Sequence, residues 1–454
     1  MLKQSENSYM INNEWEEARN FLIQKINADP QIAKCREKIA KRHDRNLNGF
    51  HSITHYKAEK VIQPTLWHLL EKYERYFKQK ESFNKDKKLL YDIHKNIKHI
   101  KKAWQFYQKQ NISKAVKEIS YILRKYIKDP FFVSDMEKSY ALKQLAHMDD
   151  FNSVSRGFGE EYRKDIEQLK LHPITLFRGR WSAKPLKDRK DLLHQPYTKK
   201  TSKNRFERKR FVCKGIPALY LGNTSYVCWL ECGGAGSLDK SEKSKTAQDE
   251  EFYISAYVPE IKARKLNILN LIDVEELING IYTEGIDDAN GREKNLQDKL
   301  ISFFPLVLAT SFKRENSRKR DLDYIIPELL MRAIKRFNID GIAYLSKHLD
   351  HDLRMLVGVN IAIPIYNDKL TDDGKFGCVC KMFKMSEPEV FDVSKEDFYG
   401  RVSGGSYMSD YCRTAPKGAQ VPLLNEKDGG QRYDKSVFGK FDDYLVNKKL
   451  AVYD

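Results

Sequence analysis

The chain has 454 residues, 41% of them apolar and 12% aromatic, with 81 Lys and Arg against 63 Asp and Glu for a net charge of +18. This composition supplies a packed core, which excludes a wholly disordered chain, and the length suits two or three domains. The longest apolar stretch, Ser302 to Phe312 (SFFPLVLATSF), falls well short of the roughly 18 residues of a spanning helix and contains Pro305, so no membrane partner is expected. The opening MLKQSENSYM lacks the basic and apolar runs of a signal peptide, and seven scattered Cys suit a reducing compartment. A cytoplasmic location is the expectation.

In chain order, the first part is helical. Trp15, Ala18, Phe21, Leu22 and Ile26 recur at three and four until Asp29-Pro30. Leu90, Ile93, Ile97, Ile100, Trp104 and Tyr107 form the stripe of a long amphipathic helix, and Ile112, Ala115, Val116, Ile119, Ile122, Leu123 and Tyr126 repeat it up to Asp129-Pro130. Residues 31–130 also carry 25 Lys and Arg against 10 Asp and Glu, which is +15 of the +18. Such a segment attracts polyanions, nucleic acid among them, or else is a solvated helix surface; no zinc-finger spacing or aromatic-basic motif accompanies it.

From Ile174 the pattern changes to short β-rich runs, TLFRGR, ALYLG, EFYISAYV, LNILNL and MLVGVNIAIPI, with helices near Ser225–Cys232 and Pro327–Phe337. Beyond about 400 the chain is rich in Gly, Ser and charge and reads as an extended tail. The predicted organisation is thus a helical domain over 1–169, an α+β domain over 170–398 and an extension over 399–454.

No GxGxxG, GxxxxGK[ST], HExxH or GxSxG occurs. Cys228/Cys232 with Cys378/Cys380 match structural zinc pairs poorly, and His51/His55 have no third ligand, so no metal is expected. The α+β segment holds a more specific set. Arg178 and Arg180 sit in an otherwise apolar strand, where alternation sends both to one face. Then follow Arg210, a Gly-Ile-Pro turn, a strand with Tyr220, and a helix in which Glu231 follows Val227, Cys228, Trp229 and Leu230. DLDYIIPELLMRAIKRFNIDGIAYLS reads as helix, turn and strand, ending in Ser346.

The order of these pieces resembles the RES domain, named for its Arg, Glu and Ser: an Arg in the first strand, Arg before Gly-Ile-Pro, Leu-Tyr-Leu, a helical Glu, Tyr-x-x-Pro, then Asp-Gly-Ile-x-Tyr-x-Ser. The resemblance covers roughly 170–395, including NIAIPI (Asn360–Ile365) and FGCVCKMFKMSEPEVF. It implies an α+β fold similar to diphtheria-toxin-type ADP-ribosyltransferases. It also implies a bacterial toxin or anti-phage effector that cleaves the nicotinamide–ribose bond of NAD by hydrolysis or phosphorolysis, or else transfers ADP-ribose to a protein. NAD would be substrate, with no other cofactor. Arg178, Arg210 and Arg180 would face the dinucleotide, Tyr220 would offer a face to nicotinamide or ribose, and Glu231 and Ser346 would act with Arg178 at the scissile bond. The basic stretch Lys184–Lys214 would form part of the dinucleotide mouth.

Two positions depart from the family pattern: Glu328 follows Pro327 where this branch has Gln, and Gly179 follows Arg178 where many members carry an aromatic. Asp239–Glu251 reads as an inserted loop. The helical front domain would sense a trigger, restrain the enzyme or mediate self-association, with an antitoxin or phage protein as partner. Arg36 and His43 loosely fit a HEPN ribonuclease motif, which, with the basic segment, forms the alternative of a nucleic-acid-binding protein.

Overall fold

The computed structural model describes residues 66–139, 141–142, 174–194, 196, 210–213, 216–233, 250–271, 292–311, 324–346, 358–366, 369–371, 374–395, 425–426, 429–430 and 436–453. The described α-helices longer than four residues are α1 (Leu66–Gln79), α2 (Lys87–Gln108), α3 (Ile112–Leu123), α4 (Ser225–Glu231), α5 (Arg292–Ser311), α6 (Ile325–Ile334) and α7 (Val437–Val446). The strands of the main sheet are β1 (Val133–Asp135), β2 (Leu176–Ser182), β3 (Ala218–Gly222), β4 (Glu251–Pro259), β5 (Asn267–Leu271), β6 (Gly341–Leu345), β7 (Val359–Pro364), β8 (Phe383–Met385), β9 (Glu389–Val390) and β10 (Ala451–Val452). The described chain is α+β. The helix read over Trp15–Ile26, the pairs His51/His55 and Arg36/His43, and the boundary near 170 lie outside the described residues.

Helices α2 and α3 start where side-chain oxygens replace missing helical partners: Asp86 accepts from the Leu89 N–H at 3.0 Å and Asn111 from the Lys114 N–H at 3.1 Å. Their apolar stripes are buried, with Ile93, Ile100, Ala103, Ala115 and Ile119 all fully enclosed. The surface they pack against is supplied chiefly by α5 and α6, so the helical segment and the α+β segment share one continuous core.

That packing solves a problem inside α5. Pro305 has no N–H, which leaves the carbonyl four residues earlier, that of Ile301, without its helical donor. The Tyr73 hydroxyl of α1 donates to that Ile301 carbonyl at 2.7 Å. One residue on, Asn96 Nδ2 of α2 donates to the Ser302 carbonyl at 2.7 Å and to the Tyr126 hydroxyl at 2.8 Å, and Tyr126 donates to Ser302 Oγ at 2.9 Å. Tyr73 therefore supplies the hydrogen bond that Pro305 removes from a buried helix, and Asn96 adds a second one beside it.

The ten strands form one mixed sheet in the order β1-β5-β6-β7-β3-β2-β4-β8-β10, with β9 also paired to β4. Among the described strands only β5 and β6 run parallel. Strands β6 and β7 are buried along their whole length, as near-continuous apolar runs require. β1 ties the helical segment into the sheet by pairing with β5.

The C-terminal residues depart from the extended tail read in the sequence. Residues 436–453 form α7 and β10: Phe438 stacks on Phe391 at 4.5 Å and meets Tyr226 and Trp229 of α4, and β10 pairs with β8. The Gly/Ser-rich composition belongs to 401–420, outside the described residues, and it masks the amphipathic VFGKFDDYLV that follows.

Candidate functional site

The sheet is weakest between β2 and β3, which are paired only at Phe177 and Gly222. Continued antiparallel pairing would set Gly179 opposite Tyr220. Instead the half-buried Arg178 guanidinium occupies the parting, donating from Nη1 to the Tyr220 carbonyl at 3.0 Å and from Nη2 to the Leu193 carbonyl at 3.3 Å. Its buried Nε has no hydrogen-bond partner among the described residues. A planar multi-donor group is needed to span two carbonyls this way, and Lys has no such geometry.

Helix α4 lies over this parting. Thr224 caps it by accepting from the Val227 N–H at 3.1 Å, and Gly222 allows its close approach, since a Cβ there would stand 2.4 Å from Val227 Cγ1. Cys228 Sγ donates to the Phe177 carbonyl at 3.1 Å, fixing the helix to β2. The helix thereby delivers Glu231 at its C-terminal end, where the helix dipole disfavours an anion. Two buried donors offset that cost: Ser346 Oγ, at the end of β6, donates to Glu231 Oε1 at 2.7 Å, and Asn360 Nδ2 of β7 donates to the same oxygen at 2.9 Å. Ser346 is 1% exposed and Asn360 6%, whereas Glu231 itself is exposed. A surface carboxylate is thus oriented from beneath by groups whose positions the core fixes.

Tyr220 and Tyr344 hold the second arginine. The Tyr220 hydroxyl donates to the Arg210 carbonyl at 2.9 Å, Arg210 Nη1 donates to the Leu345 carbonyl at 2.8 Å, and the Arg210 guanidinium lies 4.6 Å from the Tyr344 ring centroid. Burial pushes the Tyr220 phenol far above its ordinary value; Tyr344 and Glu231 push the same way and Arg178 opposes them. The Tyr344 phenol is likewise raised by burial first and Glu231 second, with Arg210 opposing. After Arg210 the backbone turns sharply: Phe211 adopts φ of 61°, a left-handed conformation costly for an aromatic residue, held by its fully buried ring packing 4.5 Å from Tyr344.

The structure thus links Arg178, Tyr220 and Arg210 by hydrogen bonds, carries that chain to Leu345 at the end of β6, and there Ser346 meets Glu231. Arg180 is exposed, two residues along β2, and takes no part in the hydrogen bonds that join this group. Asn360 completes the group; its signal in the sequence is a single amide at the head of the otherwise apolar NIAIPI. The two positions that depart from the RES pattern have defined local surroundings. A side chain at Gly179 would meet the Phe252 ring at 2.3 Å, so an aromatic from β4 already fills that space. Glu328 is engaged within its own helix, accepting from Arg332 at 2.7 and 3.0 Å.

Apart from Arg210, the described part of Lys184–Lys214 has a structural duty. Arg189 Nε donates to the Met385 carbonyl at 2.9 Å and Nη2 to the Lys449 carbonyl at 3.3 Å, tying β8 to the C-terminal segment, while Lys190 pairs with Asp188 at 3.0 Å. Residues 197–209 and most of Asp239–Glu251 lie outside the described residues. Among the described residues no group of three His, Cys, Asp or Glu gathers as metal ligands, and no helix is long and apolar enough to cross a membrane.

No protein-family model matches the chain, and no solved structure gives a significant match. Over 339 residues it is 24% identical to the protein named "Putative toxin YopC" of Bacillus subtilis (strain 168). The match covers 67% of this chain and 64% of that relative, so the chain spans less than two thirds of its length.

Proposed function

We propose that this chain is a toxin-type enzyme that consumes NAD by breaking its nicotinamide–ribose bond, in the manner of the RES domains its motifs resemble. The observation that carries the reading is the exposed Glu231 carboxylate held by Ser346 and Asn360, with the Arg178 guanidinium in the parting of the sheet and Arg210 bonded to Leu345 beside Ser346. The likeness to a protein named as a toxin supports the biological role.

Nicotinamide leaves as a neutral molecule, taking the electron pair of the C1′–N bond and leaving positive charge on the ribose. An enzyme for this step needs a fixed negative charge near the ribose and cationic forks for the pyrophosphate, and little covalent chemistry. Glu231 would accept a hydrogen bond from a ribose hydroxyl and stabilise the oxocarbenium-like sugar. Its orientation is set before substrate arrives, because Ser346 and Asn360 are rigidly buried. Ser346 thus acts on the carboxylate rather than as a nucleophile. Arg178 and Arg210 would exchange part of their carbonyl hydrogen bonds for phosphate oxygens, a charge-assisted and bidentate geometry. The step closes when water or phosphate adds its oxygen to C1′; with water, one proton is released and ADP-ribose is the product.

Incubating the purified chain with NAD and following nicotinamide tests this. Release that is lost in Glu231→Ala supports the reading, and no release from the wild type opposes it. With NAD labelled in its adenine, free ADP-ribose or its 1-phosphate identifies hydrolysis or phosphorolysis, whereas label on protein identifies ADP-ribosyl transfer.

A further inference from the structure

The hairpin of α2 and α3 has an outer face that neither the core nor the Glu231 site uses. Along α2 the exposed positions are Lys87, Lys88, Tyr91, His94, Lys95, Lys98, Lys102, Gln105 and Gln108, with no carboxylate among them. Along α3 and just past it they are Ser113, Lys114, Lys117, Tyr121, Arg124, Lys125 and Lys128, again with no carboxylate. The seam between the helices is closed by Lys125 with Asp92 at 2.5 Å and His99 with Glu118 at 2.7 Å, so the acidic groups are already paired and recessed. On a 3.6-residue repeat, Lys88, Tyr91, Lys95, Lys98 and Lys102 form one stripe along α2, a helix about 33 Å long.

Two aromatic rings stand in this field. Tyr91 is 60% exposed with the Lys95 ammonium 5.7 Å from its centroid, and Tyr121 is 40% exposed with both Lys117 and Arg124 at 5.8 Å. Residues 66–130 hold 17 Lys and Arg against 7 Asp and Glu. Tyr91 and Tyr121 are two of the three large apolar side chains exposed among the described residues, and like charges at this density repel one another until a polyanion neutralises them. Cations that track a phosphate backbone, interleaved with rings on which bases stack, are the two elements of single-strand recognition.

We infer that the α2–α3 face binds single-stranded nucleic acid, with Lys95, Lys98, Lys102, Lys117 and Arg124 on phosphates and Tyr91 and Tyr121 stacking on bases. The inference is independent of NAD chemistry, since no residue of the Glu231 group takes part.

The test uses the full chain and a fluorescently labelled single-stranded RNA of mixed sequence, titrated at salt from about 50 to about 200 mM. Binding is expected to weaken steeply with salt. The Lys95→Gln/Lys98→Gln/Lys102→Gln variant should flatten that salt slope, by about 0.7 for each phosphate no longer neutralised. Tyr91→Ala and Tyr121→Ala should each weaken binding about tenfold with the slope unchanged. All these positions are exposed, and melting curves matching the wild type establish that the variants fold. Three results would overturn the inference: no binding at the lowest salt; binding unaffected by either tyrosine variant, which marks mere polyanion adsorption; or tighter binding to phosphatidylserine vesicles than to RNA, which marks a lipid surface.

Discussion

Ser346 and Glu231 stand 115 residues apart in the chain, yet the buried hydroxyl of one donates to Oε1 of the other at 2.7 Å. The bond joins the end of β6 to the end of α4, and Asn360 of β7 adds a second donor to the same oxygen. Hydrogen bonds to a charged group contribute about 1.5–3 kcal/mol. Ser346→Ala and Asn360→Ala should therefore each lower kcat for nicotinamide release roughly ten- to hundredfold with little change in KM. Steady-state kinetics check this. A purely structural role would instead lower melting temperature and leave the kcat of the folded fraction intact.

Tyr73 replaces a donor that Pro305 removes from α5. Tyr73→Phe keeps the ring, including its stacking on Phe304 at 5.2 Å, and removes only the hydroxyl. The Ile301 carbonyl would then be buried without that donor, at a cost of about 1–3 kcal/mol. Denaturant unfolding should give a lower midpoint at unchanged m-value. Replacing Pro305 by Ala in the Tyr73→Phe background should restore most of the loss, because the helix regains its own N–H donor.

Asp442 of α7 is fully buried and accepts from the Ser225 N–H at 3.1 Å, the first residue of the helix that ends in Glu231. Asp442→Ala should destabilise the chain by about 1–3 kcal/mol and reduce nicotinamide release as well, since α4 loses an anchor. Asp442→Asn retains an acceptor oxygen and should recover most of both. Thermal melts and kinetics on the two variants separate these outcomes.

Buried phenols set the alkaline limit of stability. Burial raises Tyr126 to about 12 from an ordinary value of 10.0 and pushes Tyr73, Tyr220, Tyr257 and Tyr344 well above that ordinary value too. A phenol whose folded value is raised contributes its full stability below the ordinary value, because both states then keep the proton. As pH climbs past 10 the unfolded chain loses protons that the folded chain retains, so stability falls across the window from about 10 to 12 and above. Urea midpoints should be level below that window and fall within it, with tyrosinate absorbance appearing on unfolding. Full tyrosinate absorbance near pH 10 in a chain that stays folded would contradict this.

Much of the fold was legible where periodicity was clean. The stripes Leu90–Tyr107 and Ile112–Tyr126 became α2 and α3, and TLFRGR, ALYLG, LNILNL and NIAIPI became strands. Helix α5 was not legible, for a physical reason: Leu300–Thr310 is buried on every side, so it has no polar face to betray a period, and Pro305 reads as a breaker until Tyr73 is seen to replace its missing donor. At the site, Arg178, Glu231 and Ser346 were legible only as an ordered set, since each alone has an ordinary structural use. Asn360 was hidden because its significance depends on β7 lying beside β6, a pairing that no local pattern encodes. The shared core of the helical and α+β segments was equally hidden, because pairings such as Tyr73 with Ile301 span 228 residues.

Nicotinamide release by wild type and by Glu231→Gln under saturating NAD tests whether the oriented Glu231 carboxylate drives the proposed cleavage of NAD. Gln keeps an acceptor oxygen for Ser346 and Asn360 while removing the charge. NAD binding is expected within a few-fold of wild type, with release reduced by at least about a hundredfold, the scale of losing a fixed charge at a developing cation. Release by Glu231→Gln at the wild-type rate would contradict it.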